Sequence, residues 1–145
     1  MLTTLQSIFT QHKDQAGALL PILHDIQHAL GFVPDEAVPL IAKELNLSRA
    51  EVHGVITYYH HFRQTPPSKH VVHVCCAEAC QANGSEALAT HAAARLQHGD
   101  TTLEPVYCLG LCSIGPAIQI DEATLHARVT PEKFDALMDA LGEKA

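Results

Sequence analysis

Cys75 and Cys80 stand with four residues between them, and Cys108 and Cys112 with three. Four thiolates brought to one place suit soft-metal chemistry, either an iron–sulfur cluster or zinc. Structural zinc prefers two-residue gaps within a pair, because a tight knuckle fits a single tetrahedral ion. Gaps of four and three are wider and suit two irons, each held by one close pair; spacing alone leaves both readings open. Gly110 and Gly115 flank Cys112 and let the backbone turn tightly, with N–H groups free to point at sulfur. Neither pair is Cys-x-x-Cys, which argues against thiol–disulfide exchange of the thioredoxin kind. Cys76 is left over. Neighbours on a strand point to opposite faces, so Cys75 and Cys76 should not both face a metal. Cys76 therefore reads as a small buried hydrophobe, with a spare ligand or redox-sensitive thiol as the sharper alternative.

Other reactive side chains offer less. His60-His61 and His70-x-x-His73 have no carboxylate partner visible in sequence and read as surface residues or partner contacts rather than ligands. There is no Ser/His/Asp set, no Gly-x-Gly-x-x-Gly and no P-loop. Tyr58 and Tyr59 form an aromatic patch that reads as core packing between two halves of the chain.

The composition narrows the class. With 145 residues the chain is one domain or two small ones, and 47% hydrophobic residues suffice for a core. Sixteen acids against nine Lys+Arg, a net charge of −7, make nucleic acid a poor partner. Charged residues make up 17%, below the usual quarter or so, as expected if partner subunits cover part of the surface. No signal peptide, transit segment or membrane span is legible, so the expectation is a cytoplasmic protein without membrane insertion. There, five cysteines, all after residue 74, do not read as a disulfide framework.

The elements that must position the sulfurs fall into two grammars. Residues 1–68 read as helical. Leu5, Ile8 and Phe9 give a first apolar face, and Leu19, Leu20, Leu23, Ile26 and Leu30 a second, closed by Gly31 with Pro34 beyond. A third helix is predicted from about Asp35 to Leu45, with Pro39 tolerable only in its first turn. Ser48-Arg49-Ala50-Glu51 is a capping box that opens a fourth helix, to about His60. Thr65-Pro66-Pro67-Ser68 is a stiff break and the expected domain boundary. After it, 70–75 reads as a strand, 85–96 as a helix and 101–107 as a strand. Residues 117–120 and 126–129 read as a hairpin around 121–125. Thr130-Pro131-Glu132 starts a last helix with Phe134, Leu137, Met138 and Leu141 inward. The order β-α-β-β-β-α gives an α+β chain, helical over 1–68 and a small α/β layer over 69–145.

These residues resemble a known family: the [2Fe–2S] electron-transfer subunit shared by the NADH-oxidising module of respiratory complex I, NAD-linked hydrogenases and NAD-dependent formate dehydrogenases. The stretches 20–27, 31–34 and 51–59 resemble its helical part. Val74-Cys75 to Cys80, and Cys108-Leu109-Gly110-Leu111-Cys112 to Gly115-Pro116, resemble its cluster loops. The resemblance implies a helical bundle joined to a thioredoxin-like domain, with Cys75, Cys80, Cys108 and Cys112 holding one [2Fe–2S] cluster. Residues 75–81 and 102–112 look most like the gamma subunit of molybdenum-containing, NAD-dependent formate dehydrogenase. That implies FMN, NAD and the molybdenum cofactor on partner subunits only: a flavin/NAD-binding chain and a molybdopterin-containing catalytic chain. The 27 residues between Cys80 and Cys108 are fewer than this family leads one to expect, so the loop after the 85–96 helix reads as trimmed.

Two rivals come from other classes. Residues 42–52 look like a helix-turn-helix, as in a DNA-binding redox regulator, but 1–68 carries four Lys+Arg against six acids. A zinc-held scaffold with no redox role is the other.

Overall fold

The computed structural model describes residues 1–142. The chain divides into two compact units, Met1–Pro67 and the chain from Ser68 onward.

The first unit is four helices: α1 (Leu2–Gln11), α2 (Leu19–Leu30), α3 (Ala37–Glu44) and α4 (Arg49–Tyr58). Local chemistry marks several of their boundaries. Gly31 takes the left-handed conformation (φ 84°) after α2 and donates its N–H to the Gln27 carbonyl at 2.7 Å. Pro39 is the third residue of α3, where no intrahelical N–H is required. Ser48 and Glu51 form the reciprocal box that opens α4: Glu51 N–H donates to Ser48 Oγ at 3.2 Å, and Ser48 N–H donates to Glu51 Oε2 at 2.8 Å. Leu5, Leu23, Ile26, Ile41, Val52 and Ile56 fill the core. The last segment is tied down by one buried amide. Gln27 donates from Nε2 to the His61 carbonyl at 2.7 Å and accepts the Arg63 N–H at Oε1 at 2.8 Å. Tyr58 and Tyr59 lie at the end of α4. They are 75% and 42% exposed, and their rings meet edge-on at 5.0 Å. Tyr58 is the last residue of α4 and Tyr59 its C-cap, while Val52 and Ile56 are the buried positions of that helix.

The second unit is α/β. Its strands are β1 (His70–Cys75), β2 (Thr101–Val106), β3 (Ile118–Ile120) and β4 (Thr124–His126), in the order β2-β1-β3-β4. β1 and β2 are parallel, which requires a crossover. It is made by the short α5 (Glu78–Ala82) and by α6 (Ser85–Arg95). β3 and β4 are antiparallel additions. α7 (Pro131–Leu141) opens as read from sequence, with Thr130 Oγ1 accepting the Lys133 N–H at 3.2 Å. Alternation sorts β1: Val72 and Val74 join Leu88, Ile118, Phe134 and Met138 in the core, while Cys75 belongs to a separate buried cluster. The hairpin departs from expectation. Its second strand is Thr124–His126, not 126–129, because Asp121 and Glu122 turn with φ of 52° and 56° immediately after β3, and Arg128 (φ 48°) breaks the extended run.

Candidate metal centre

β1 carries Cys75 to its C-terminal end, where the residue is 2% exposed. The ladder continues one step: Cys76 N–H donates to the Val106 carbonyl at 2.7 Å, which fixes the end of β2 alongside. Ala77, extended at φ −75° and ψ 160°, then opens α5. This helix was not legible in sequence, since five residues carry no period. It turns Cys80 back inward, 2% exposed and beside the Cys75 thiol.

The second pair follows β2. Cys108 has φ 90°, a rare conformation for a residue with a side chain, and Gly110 has φ 77°. Two such residues fold the Cys-Leu-Gly-Leu-Cys run tightly enough to bring Cys108 Sγ within 3.5 Å of Cys112 Sγ. Gly110 donates its N–H to Cys108 Sγ at 3.4 Å. Cys112 opens a 3-10 turn over Cys112–Ile114, also not predicted. Cys108 and Cys112 are exposed, whereas the first pair is buried. Leu109, Leu111 and Val106 pack against the cluster formed by Cys75, Cys80 and Ala117.

The thiols are held unequally. Burial opposes ionisation of Cys75, yet the Ala77 N–H, the Cys80 thiol and the N–H groups of Cys108 and Leu109 outweigh it, so its pKa lies below that of a free thiol. Cys80 is pushed up by burial and by its bond with Cys75. Cys112 is pushed up by its bond with Cys108 and then by that sulfur's charge. The pairs also sense one another: charge on Cys75 raises Cys112, and charge on Cys112 raises Cys80. Backbone of the second loop thus donates to a sulfur of the first, placing all four thiols in one electrostatic neighbourhood.

Among the described residues no set of three or more His, Cys, Asp or Glu side chains is arranged to hold a metal ion. The sulfurs stand as two pairs with N–H donors aimed at them. Four cysteine sulfurs in two close pairs are a donor set that would fit a [2Fe–2S] group, which is held by Cys thiolates.

Cys76 points elsewhere. It is half-buried, its thiol reaches the Val74 carbonyl at 3.5 Å, and it lines an apolar cleft with Val74, Ala89 and Leu103. Burial and the charge of Cys75 raise its pKa. Two histidines correct the sequence reading, because each does have a carboxylate. His70 Nδ1 meets Asp121 at 2.7 Å, and His73 Nε2 meets Glu104 at 3.1 Å, both across the sheet and so invisible to local spacing.

Known proteins resemble this chain. The thioredoxin-like [2Fe–2S] ferredoxin family matches residues 5–142. An NADH-quinone oxidoreductase subunit from Escherichia coli (strain K12) is 33% identical over 136 residues, covering 88% of this chain and 81% of that protein. NADP-reducing hydrogenase subunit HndA of Solidesulfovibrio fructosivorans is 28% identical over 131 residues, covering 84% and 75%. A crystal structure of an NAD+-reducing [NiFe]-hydrogenase in the H2-reduced state matches with a TM-score of 0.68 at 24% identity. That match covers 88% of this chain and 22% of the other, so this chain spans about a fifth of that structure, and the likeness is one of fold. Among the described residues no helix is long and apolar enough to cross a membrane.

Proposed function

Since the chain belongs to the thioredoxin-like [2Fe–2S] ferredoxin family, we propose that it is the electron-transfer subunit of a multi-subunit NAD-dependent oxidoreductase, and specifically of a formate dehydrogenase. The proposed division is a helical domain over 1–68 and a cluster-carrying domain over 69–145. Cys75, Cys80, Cys108 and Cys112 are the proposed ligands. The observation that carries this reading is the pairing of four thiols, one pair buried and one exposed, under backbone N–H groups.

When bound, such a cluster would supply one-electron chemistry, at about −400 mV for plant-type centres. The chain's own residues do the rest. Thiolates of the two loops would hold the irons, and the N–H groups of Ala77, Cys108, Leu109 and Gly110 would offset negative charge on sulfur. Leu109, Leu111 and Val106 shield the buried pair from water. FMN, NAD and the molybdenum cofactor are assigned to partner subunits, a flavin/NAD-binding chain and a molybdopterin-containing chain, because this sequence has no dinucleotide fingerprint. A sparse 17% of charged residues agrees with a surface covered by such partners.

Anaerobic purification tests the cluster. A brown protein with two irons and two acid-labile sulfides per chain is expected, and a colourless protein with one zinc overturns the proposal. Affinity isolation of the native complex tests the branch. A molybdopterin chain beside a flavin chain supports formate dehydrogenase, which rests on residues 75–81 and 102–112. A nickel hydrogenase, or the remaining subunits of complex I, would instead assign the chain the equivalent place in those assemblies, the reading that the named relatives favour.

A further inference from the structure

Gly115 follows the 3-10 turn that begins at Cys112, and its backbone is extended, at φ −65° and ψ 170°. Any L-residue adopts that conformation. Backbone freedom therefore does not call for a glycine here, as it does at Gly110 with φ 77°. Space does. A Cβ built on residue 115 would meet Cys80 Sγ at 3.0 Å and Cys80 Cα at 3.5 Å. Favourable carbon contacts lie at about 3.5–4.0 Å, so the contact with sulfur is too close to be accepted without movement.

We propose that Gly115 is a positioning residue, whose missing side chain fixes where the Cys80 sulfur sits. The inference rests on the reading of Cys80 as a cluster ligand. Cys80 is 2% exposed, so its sulfur has no solvent side to retreat to. Its polar neighbours are the Cys75 thiol and the Ala117 N–H. Ala117 is itself tied to β1, since its carbonyl accepts the Cys75 N–H at 3.0 Å. Residues 115–117 thus form a short brace, fastened to one ligand by backbone and laid against the other. A methyl group on residue 115 would displace the Cys80 sulfur and so weaken its interaction with the Ala117 N–H. Hydrogen bonds to sulfur favour the reduced, more negative state of a cluster, so the midpoint potential should move in the negative direction.

Gly115→Ala in the full-length, anaerobically purified protein tests this, with Gly54→Ala as control because nothing lies within 4 Å of a Cβ at residue 54. The expected result is an altered electron paramagnetic resonance spectrum, a more negative midpoint and faster loss of iron to a chelator for Gly115→Ala alone. A variant indistinguishable from wild type in all three overturns the proposal. If Gly115→Ala retains no cluster, thermal unfolding of iron-free, full-length protein decides. Gly115→Ala should lower the Tm of the chain that keeps Cys80 and leave the Tm of a Cys80→Ala chain unchanged; equal losses in both overturn the brace. The ligand reading fails separately, if Cys80→Ala still binds two irons with an unaltered spectrum.

Discussion

His12 Nε2 stands 2.7 Å from Asp25 Oδ2, joining the end of α1 to the middle of α2. The imidazole is 14% exposed, and its other nitrogen meets Gln15 at 2.6 Å. Its pKa is raised above the ordinary 6.5, first by the hydrogen bond to Asp25, then by that to Gln15, against the opposing effect of burial. A raised folded pKa means that protonation favours the folded state. The contribution is complete below pH 6.5 and disappears as pH climbs through the raised value. Thermal unfolding followed by circular dichroism should therefore show a Tm that falls across this window. Asp25→Asn should flatten that part of the profile. An unchanged slope in the variant would show that another group drives it.

The Gln27 amide is 5% exposed and serves the backbone at both His61 and Arg63. Gln27→Leu keeps the volume and removes both bonds, leaving a carbonyl and an N–H without their partner. The expected cost is about 2 kcal/mol in urea denaturation of the full chain. A loss of under about 0.5 kcal/mol would mean that water replaces the amide at both groups.

Cys76 shares the strand end with Cys75 but faces the apolar cleft. Cys76→Ser should keep two irons and two labile sulfides per chain, whereas Cys108→Ser should not. Iron and sulfide assays on the two variants, purified side by side without oxygen, check this. Loss of iron from Cys76→Ser would make that sulfur a ligand.

Glu78 is the first residue of α5, exposed, and lies between the two cysteines of the buried pair. Its negative charge should disfavour an added electron. Glu78→Gln should raise the midpoint potential in a redox titration, and the difference should shrink at high salt as screening grows. An unchanged or lowered midpoint removes Glu78 from the account.

Capped and strongly periodic elements were legible in the sequence. Ser48 with Glu51, Thr130 with Pro131, and Gly31 after Leu30 each declare a helix end through one local interaction, and each stands where expected. The strands 70–75 and 101–106 were legible because β-branched runs sit between breakers. What was not legible depends on contacts distant in sequence or on very short segments. α5 and the turn at Cys112 are too brief to show a period, yet they aim two of the four sulfurs. Gln27 looks like any polar residue on a helix until the chain returns to it 34 residues later. The pairing of His73 with Glu104 depends on strand register, which no local pattern encodes.

One strand bears on how the protein avoids its own kind. Cys76 and His70 donate to the carbonyls of Val106 and Asp100, so the even-numbered residues of β2 turn their polar groups to β1 and the odd-numbered ones turn theirs outward. Residue 105 is therefore on the open border of the sheet, and it is a proline with no N–H to offer. The opposite border is β4, three residues long. Neither border is a good template for an added strand. This unit can leave its cysteine loops accessible while its sheet resists stacking edge to edge into aggregates.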